Sequence, residues 1–209
     1  HGLLGVKTEA TLRIHEWPDA FAYFAYGFRN VEAATNAFRR IQQTEIPEHL
    51  RMLSDREDID FEPLLEIPDL QALVFGTIEG HSDDEVAAQS KILDKIAAEE
   101  KGMSFGPEGE EYARVAWETQ RYFPVHESHF RKGNWTLCCS LLATSDIPKS
   151  TKWVAEFRKC EAEMLKKCDV GVDHDYWAVG PNAIGGSVTI HVDEGNPEMM
   201  EYGRKIWDE

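Results

Sequence analysis

From Lys7 to Ile14 polar and apolar residues alternate, the period of an extended strand. Ala20 to Phe28 carries Phe21, Tyr23, Phe24, Tyr26 and Phe28 and predicts a buried strand. Asn30 can cap a following helix, on which Val31, Ala34, Ala37, Phe38 and Ile41 recur at helical spacing, and Pro47 forbids its continuation. Leu50 to Leu53 predicts a short strand. Asp55 to Asp69 is acidic, contains Pro63 and Pro68, and reads as a loop with room for one helical turn. Ala72 to Gly80 is a strong strand signal. Ser82 with Glu85 then forms a capping box before a helix striped with Val86, Ile92, Leu93, Ile96 and Ala97, with Gly102 as its C-cap. After a Gly/Pro loop from Met103 to Gly109, a helix from about Glu110 to Tyr122 carries Tyr112, Val115, Ala116 and Trp117. Trp135 to Thr144 is the next strand. A helix starting at Asp146 turns Trp153, Val154, Phe157, Cys160, Met164 and Leu165 inward. Tyr176–Val179 and Ser187–Val192 pair around a Pro-Asn-Ala-Ile-Gly-Gly turn, and Pro197 opens a last helix.

The order is strand, helix, strand, strand, helix, a spacer helix, then strand, helix, strand, strand, helix. Strand–helix–strand units joined by hairpins predict an α+β fold, an antiparallel sheet from two ferredoxin-like halves with helices on one face. The other face is then left to cover something. The repeat is one of element order, with no repeated sequence.

Composition narrows the function classes. The chain has 209 residues and a net charge of −16, with 42% hydrophobic and 29% charged residues, as in an ordinary globular domain. Such an acidic surface repels phosphate backbones and anionic bilayers, so nucleic acid and membrane surfaces are not expected partners. It does not exclude a small anion, because a few arginines in a cleft create a local positive field. No stretch of 18 apolar residues predicts a membrane span, and no basic-then-apolar leader is seen. Cys138 and Cys139 are adjacent in a strand and point to opposite faces, and Cys160 and Cys168 lie about 12 Å apart along a helix. Neither pair suits a shared metal or a disulfide, and packed thiols in a cytoplasmic protein are expected.

The first segment, Leu3-Leu4-Gly5-Val6-Lys7-Thr8-Glu9-Ala10-Thr11-Leu12-Arg13-Ile14, resembles the seam strand of the FAD-linked oxidases and dehydrogenases of the PCMH (vanillyl-alcohol-oxidase-like) superfamily. In that family such a strand leaves the FAD-binding domain and enters the substrate, or cap, domain. Four more pieces follow in the family's order. They are Phe28 with Glu32-Ala33-Ala34, then Met52-Leu53-Ser54-Asp55, then Ile78-Glu79-Gly80 before an acidic helix start, and the helix Trp117 to Arg121. The likeness spans roughly residues 3 to 165 and lies nearest the alkylglycerone-phosphate synthase and glycolate–D-lactate dehydrogenase branches, the helix from Gly109 to Arg121 being most similar to the synthase branch. It implies residues 1–15 as the strand leaving an FAD-binding domain and 16–209 as a cap domain. The implied activity is that of an FAD-dependent oxidoreductase acting on a small hydroxy acid or related anionic CH–OH substrate.

The sequence departs from the family in three places. The hydroxy-acid dehydrogenase branch carries a metal-binding H-x-G-D-G-N-x-H motif; here its histidine positions are Asn182 and Thr189, with His191 out of register, so no metal site is expected. The glycine-rich loop that cradles dinucleotide phosphates is absent, as is the family's terminal H-G-x-G segment. FAD would therefore be held by an FAD-binding domain, expected in the same protein, with a separate polypeptide as the alternative. His126-Glu127-x-His129 is not the metal spacing H-E-x-x-H and lacks a third ligand.

The flavin would do the redox chemistry and this chain would orient the substrate. Arg121 and Arg131 are the expected substrate contacts, since guanidinium matches carboxylate or phosphate bidentately; each equally suits a surface ion pair with one of 38 acidic residues. His174 and Tyr176 are the expected catalytic base or orienting groups, with solvated loop positions as the alternative. Asn182 is an expected substrate contact within a turn. A homodimer is compatible with these features. The competing reading is a non-enzymatic ferredoxin-like module for small-ligand binding or oligomerisation, since fold alone does not give function.

Overall fold

The computed structural model describes residues 16–56, 59, 61–121, 134–168, 171–191 and 195–208. The seam segment of residues 1–15, Arg131 and the His126/His129 pair lie outside them. The strands are β1 (Ala20–Phe28), β2 (Pro47–Leu53), β3 (Ala72–Gly80), β4 (Met103–Ser104), β5 (Asn134–Ala143), β6 (Gly171–Val179) and β7 (Ala183–His191). The helices are α1 (Val31–Gln43), α2 (Glu62–Leu65), α3 (Asp83–Glu99), α4 (Gly106–Arg121), α5 (Ile147–Cys168) and α6 (Pro197–Asp208), with a 3-10 turn at Thr144–Asp146 before α5.

One antiparallel sheet of seven strands runs β4-β1-β3-β2-β6-β7-β5. Its order repeats about the centre. β1 pairs with β3 and β3 with β2, while β5 pairs with β7 and β7 with β6. The two sets meet where β2 lies antiparallel to β6, with Arg51 opposite Trp177 and Met52 opposite Tyr176. The architecture is α+β; the predicted order of the larger elements holds, but β4 and the first turn of α4 occupy the stretch Met103–Gly109 expected as a loop.

Local signals explain the helix ends. The Asn30 side chain accepts from Ala33 N at 2.7 Å, and Ser82 Oγ accepts from Glu85 N at 3.2 Å. Glu85 answers to His81 N–H rather than to the cap residue's own N–H, so the box is one residue wider than its simplest form. At the end of α3 the left-handed position is Lys101, with φ of 61°, not Gly102. Gly102 is needed for space instead, because a Cβ there would meet the Phe28 ring at 2.7 Å. Asn196 Oδ1 caps α6 by accepting from the N–H groups of Glu198 and Met199, with Pro197 as the first helical residue.

The period-two pattern of β1 separates two cores. Phe24, Tyr26 and Phe28 join Val74, Ile78, Leu50 and Met52 beneath α1 and α3. Tyr26 donates to Asp94 Oδ1 at 2.8 Å, and burial together with that carboxylate pushes its phenol well above the ordinary range. On the opposite face Ala25, Leu73 and Phe75 pack with Phe61, Leu64 and Ala113. The helices α1, α3 and α5 thus share one face. The spacer helix α4 and the segment Ile59–Leu70 cover the other face over β1, β3 and the Leu53 end of β2, so among the described helices none packs on its part from His49 and Arg51 across β6 and β7.

Several sequence expectations shift. Trp153 is 55% exposed rather than inward, because Val154 takes the buried position on α5. Ile92 and Val115 are exposed as well, each just off the buried stripe of its helix. The expected six-residue turn shrinks to Gly180–Asn182: Gly180 supplies a φ of 65°, and Ile184, Gly185 and Gly186 belong to β7.

The seam between the halves is fastened by buried polar groups. Gln42 Nε2 donates to the carbonyls of Gly180 at 2.7 Å and Ala183 at 2.6 Å, and its Oε1 accepts from Thr144 Oγ1 at 3.0 Å. Thr151 Oγ1 donates to Ile147 O, so the Ser54 hydroxyl, 2.5 Å away, is the donor of the Ser54–Thr151 bond.

Candidate functional site

The open face is set by an irregularity in β2. Pro47 lies opposite Ile78, yet His49 lies opposite Thr77, so one extra residue is accommodated between them. A bulge of this kind reverses the side-chain phase of the strand. It brings His49 and Arg51 onto the face of Thr77 and Phe75, while Leu50 and Met52 enter the core under α1.

A row of Cα partners then crosses the sheet: Ala25, Phe75, Arg51, Trp177 and Gly185. Arg51 is the cation of this row. Its guanidinium stands 5.9 Å from the Phe75 ring centroid and pairs with Asp175, the two side chains being 21% and 16% exposed. A partly shielded ion pair gains more than a fully exposed one and also costs more desolvation. In the next row Thr77, fully buried between Tyr23 and His49 in register, has a hydroxyl without a hydrogen-bond partner among the described residues. Toward the far end of β1, Phe21 and Trp117 approach edge to face at 5.4 Å, with Tyr23 and the exposed Trp17 alongside. The face thus offers a charge-balanced guanidinium flanked by aromatic surfaces, with a buried hydroxyl nearby. Chemically it can bind and orient an anion beside a flat apolar group.

The residues predicted from sequence distribute differently. Tyr176 is 2% exposed and packs in the core with Met52 and Ile184, on the helix-covered face. His174 is a β6 position opposite Val188, and Arg121 is the last residue of α4; the side chains of both lie outside the described residues. Asn182 is exposed in the β6–β7 turn. Arg51, Asp175, His49 and Trp177 were missed. Their signal is alternation: His49 and Arg51 interleave with Leu50 and Met52, and Asp175 and Trp177 with Tyr176. Beginning the strands at Leu50 and Tyr176 concealed it. Among the described residues no cluster of three potential metal ligands occurs, and no helix is long and apolar enough to cross a membrane.

No family model and no curated protein matches the sequence. Solved structures do match. An alkyldihydroxyacetonephosphate synthase aligns over 92% of this chain and 39% of its own, with a TM-score of 0.63 and 15% identity. A p-cresol methylhydroxylase with bound substrate aligns over 91% of this chain and 42% of its own, at a TM-score of 0.63 and 14% identity. The 4-ethylphenol oxidase of Gulosibacter chungangensis aligns over 88% and 41%, at a TM-score of 0.57 and 12% identity. The chain therefore spans about two fifths of the length of these proteins and shares the fold of the part of each that it covers.

Proposed function

We propose that this chain is the substrate-binding cap of an FAD-dependent oxidoreductase acting on a small hydroxy acid or related anionic CH–OH substrate. The observation that carries the reading is the Arg51–Asp175 pair at the centre of the sheet's open face. The fold shared with the synthase, the methylhydroxylase and the 4-ethylphenol oxidase supports it. Residues 1–15 would be the strand leaving the FAD-binding domain, and 16–209 the cap.

The donors fit a flavin enzyme in one respect only. The open face presents flat apolar surface and oriented polar groups, which suit a ring system and its substrate, while the sequence has no glycine-rich cradle for dinucleotide phosphates. The dinucleotide part of FAD would therefore be held by a domain of the same protein. When bound, FAD supplies the hydride acceptor.

The chain's own residues do the rest. Arg51 takes the substrate's carboxylate or phosphate, with donors in a fixed fork. Asp175 fixes the direction of that fork and keeps the empty face neutral. His49, on the same face, lies within the range of roles open to an imidazole, from hydrogen-bond donor to proton acceptor at the substrate hydroxyl. Arg121 and Arg131 are assigned as further cations for the same anion, and Asn182 as a contact at the hairpin turn.

Arg51→Ala in the complete flavoprotein is expected to raise KM for the anionic substrate about 10- to 100-fold, since a charge-assisted pair is removed and Asp175 is left to repel the anion. Flavin content should stay unchanged. An unchanged KM in Arg51→Ala, with a rise in an Arg121→Ala/Arg131→Ala double variant, would move the anion site to α4 and the segment after it.

A further inference from the structure

The Trp177 side chain does not stand up from the sheet. A Cβ built on Gly185, its Cα partner on β7, would run into Cε2, Nε1 and Cζ2 of the indole. The ring therefore lies across the neighbouring strand, over a position that has no side chain. Glycine within a strand weakens it and marks a close approach, so this arrangement has a cost in stability. The indole is only half-buried, and its row neighbour on the other side is Arg51. A guanidinium and the face of a flat-lying indole thus share one surface.

We propose that Trp177, laid down by Gly185, is a specificity-determining residue that selects an anion carrying an aromatic or similarly flat apolar body. Arg51 takes the anionic end and the indole face takes the body. This rests on the open face being the substrate site proposed above, and it narrows that substrate class. A two-carbon hydroxy acid held by Arg51 would leave the indole face uncovered. Stacking an aromatic ring there removes apolar surface from water and adds a favourable ring–ring geometry. Phe75 under Arg51 strengthens the arrangement, because it limits the directions in which the guanidinium can turn.

The test uses fluorine NMR of the full protein with 4-fluorobenzoate and trifluoroacetate as probes. Wild type should bind 4-fluorobenzoate about tenfold more tightly than trifluoroacetate or better. Trp177→Ala removes the platform and Gly185→Ala forces the ring off the sheet, so each should reduce the ratio to about threefold or less with trifluoroacetate affinity unchanged. Trp177→Phe should restore part of the preference. Equal affinities in wild type, no binding of either probe, or a preference that survives both variants would overturn the proposal. So would a change in the visible flavin spectrum of Trp177→Ala with the probe ratio intact, because the indole would then be covering the flavin. Line widths of these probes need no flavin. A protein without flavin would thus fail the oxidoreductase reading and leave this comparison standing, whereas a flavoprotein with no preference fails this proposal alone.

Discussion

Gly76→Ala is expected to destabilise the protein by about 3 kcal/mol, at the upper end of what one added methyl group does in a packed interior. The methyl would be driven against the carbonyl oxygen of His49 and would come within 2.8 Å of the Phe24 ring. The ring could turn aside. The carbonyl is backbone, and it approaches Gly76 because β2 carries its extra residue between Pro47 and His49. Relief therefore requires β2 to move away from β3, and β2 is the strand that carries His49 and Arg51. Urea unfolding should show a lower midpoint with an unchanged slope. Gly180→Ala is the informative comparison, since it has open space but a φ of 65°, and should cost only about 1 kcal/mol from backbone strain. Equal costs at the two positions would mean that the β2 carbonyl yields easily, and the bulge would lose its place as the device that aims Arg51.

Gln42→Leu is the second large effect, with an expected loss of about 2–4 kcal/mol. Its amide uses both donors on the carbonyls of Gly180 and Ala183 and its oxygen on Thr144. Leucine has a similar volume, so the change isolates the hydrogen bonds from the packing. It takes the amide away from two carbonyls and a hydroxyl, with Thr144 only 4% exposed. Thr144→Val removes one of these bonds and should cost about 1 kcal/mol. Because these groups sit at the seam, hydrogen exchange in β6 and β7 should rise in Gln42→Leu before exchange in β1 and β3 does. A loss below about 0.5 kcal/mol would mean that water substitutes for the amide and that the seam is held by apolar packing alone.

Much of the fold is legible in the sequence because local signals and tertiary packing agree. Ala20–Phe28 and Ala72–Gly80 are strands at the limits their composition predicts, since both are buried on two faces and bounded by capping residues. The exposure of Trp153 was not legible, because periodicity gives a helix its apolar stripe but not the angle at which the stripe meets its neighbour. Propensity points to Gly102 as the left-handed residue at the end of α3. The packing of Phe28 against Gly102 claimed that glycine for space and left the turn to Lys101.

The site was less legible than the fold. Arg51 and Asp175 are 124 residues apart in number, and nothing local relates them. Their meeting depends on β2 and β6 pairing across the two halves and on the phase reversal in β2. Hydrophobic pattern does contain half of this information, since alternation assigns His49 with Arg51 and Asp175 with Trp177 to common faces. It also separates Tyr176 from Trp177, which is why the tyrosine is found in the core. The bulge has no such signature, and Gly76 reveals it only once the strand opposite is known.

The central claim is that this fold caps a flavin and binds an anionic substrate against it. The most direct measurement is a visible absorption spectrum of the protein purified from its complete gene, followed by anaerobic addition of anionic CH–OH compounds. The account predicts the absorption of an oxidised flavin, bleached by a substrate whose KM rises in Arg51→Ala. A colourless protein with no flavin-binding domain encoded alongside would contradict it and favour a ligand-binding module built on the same sheet.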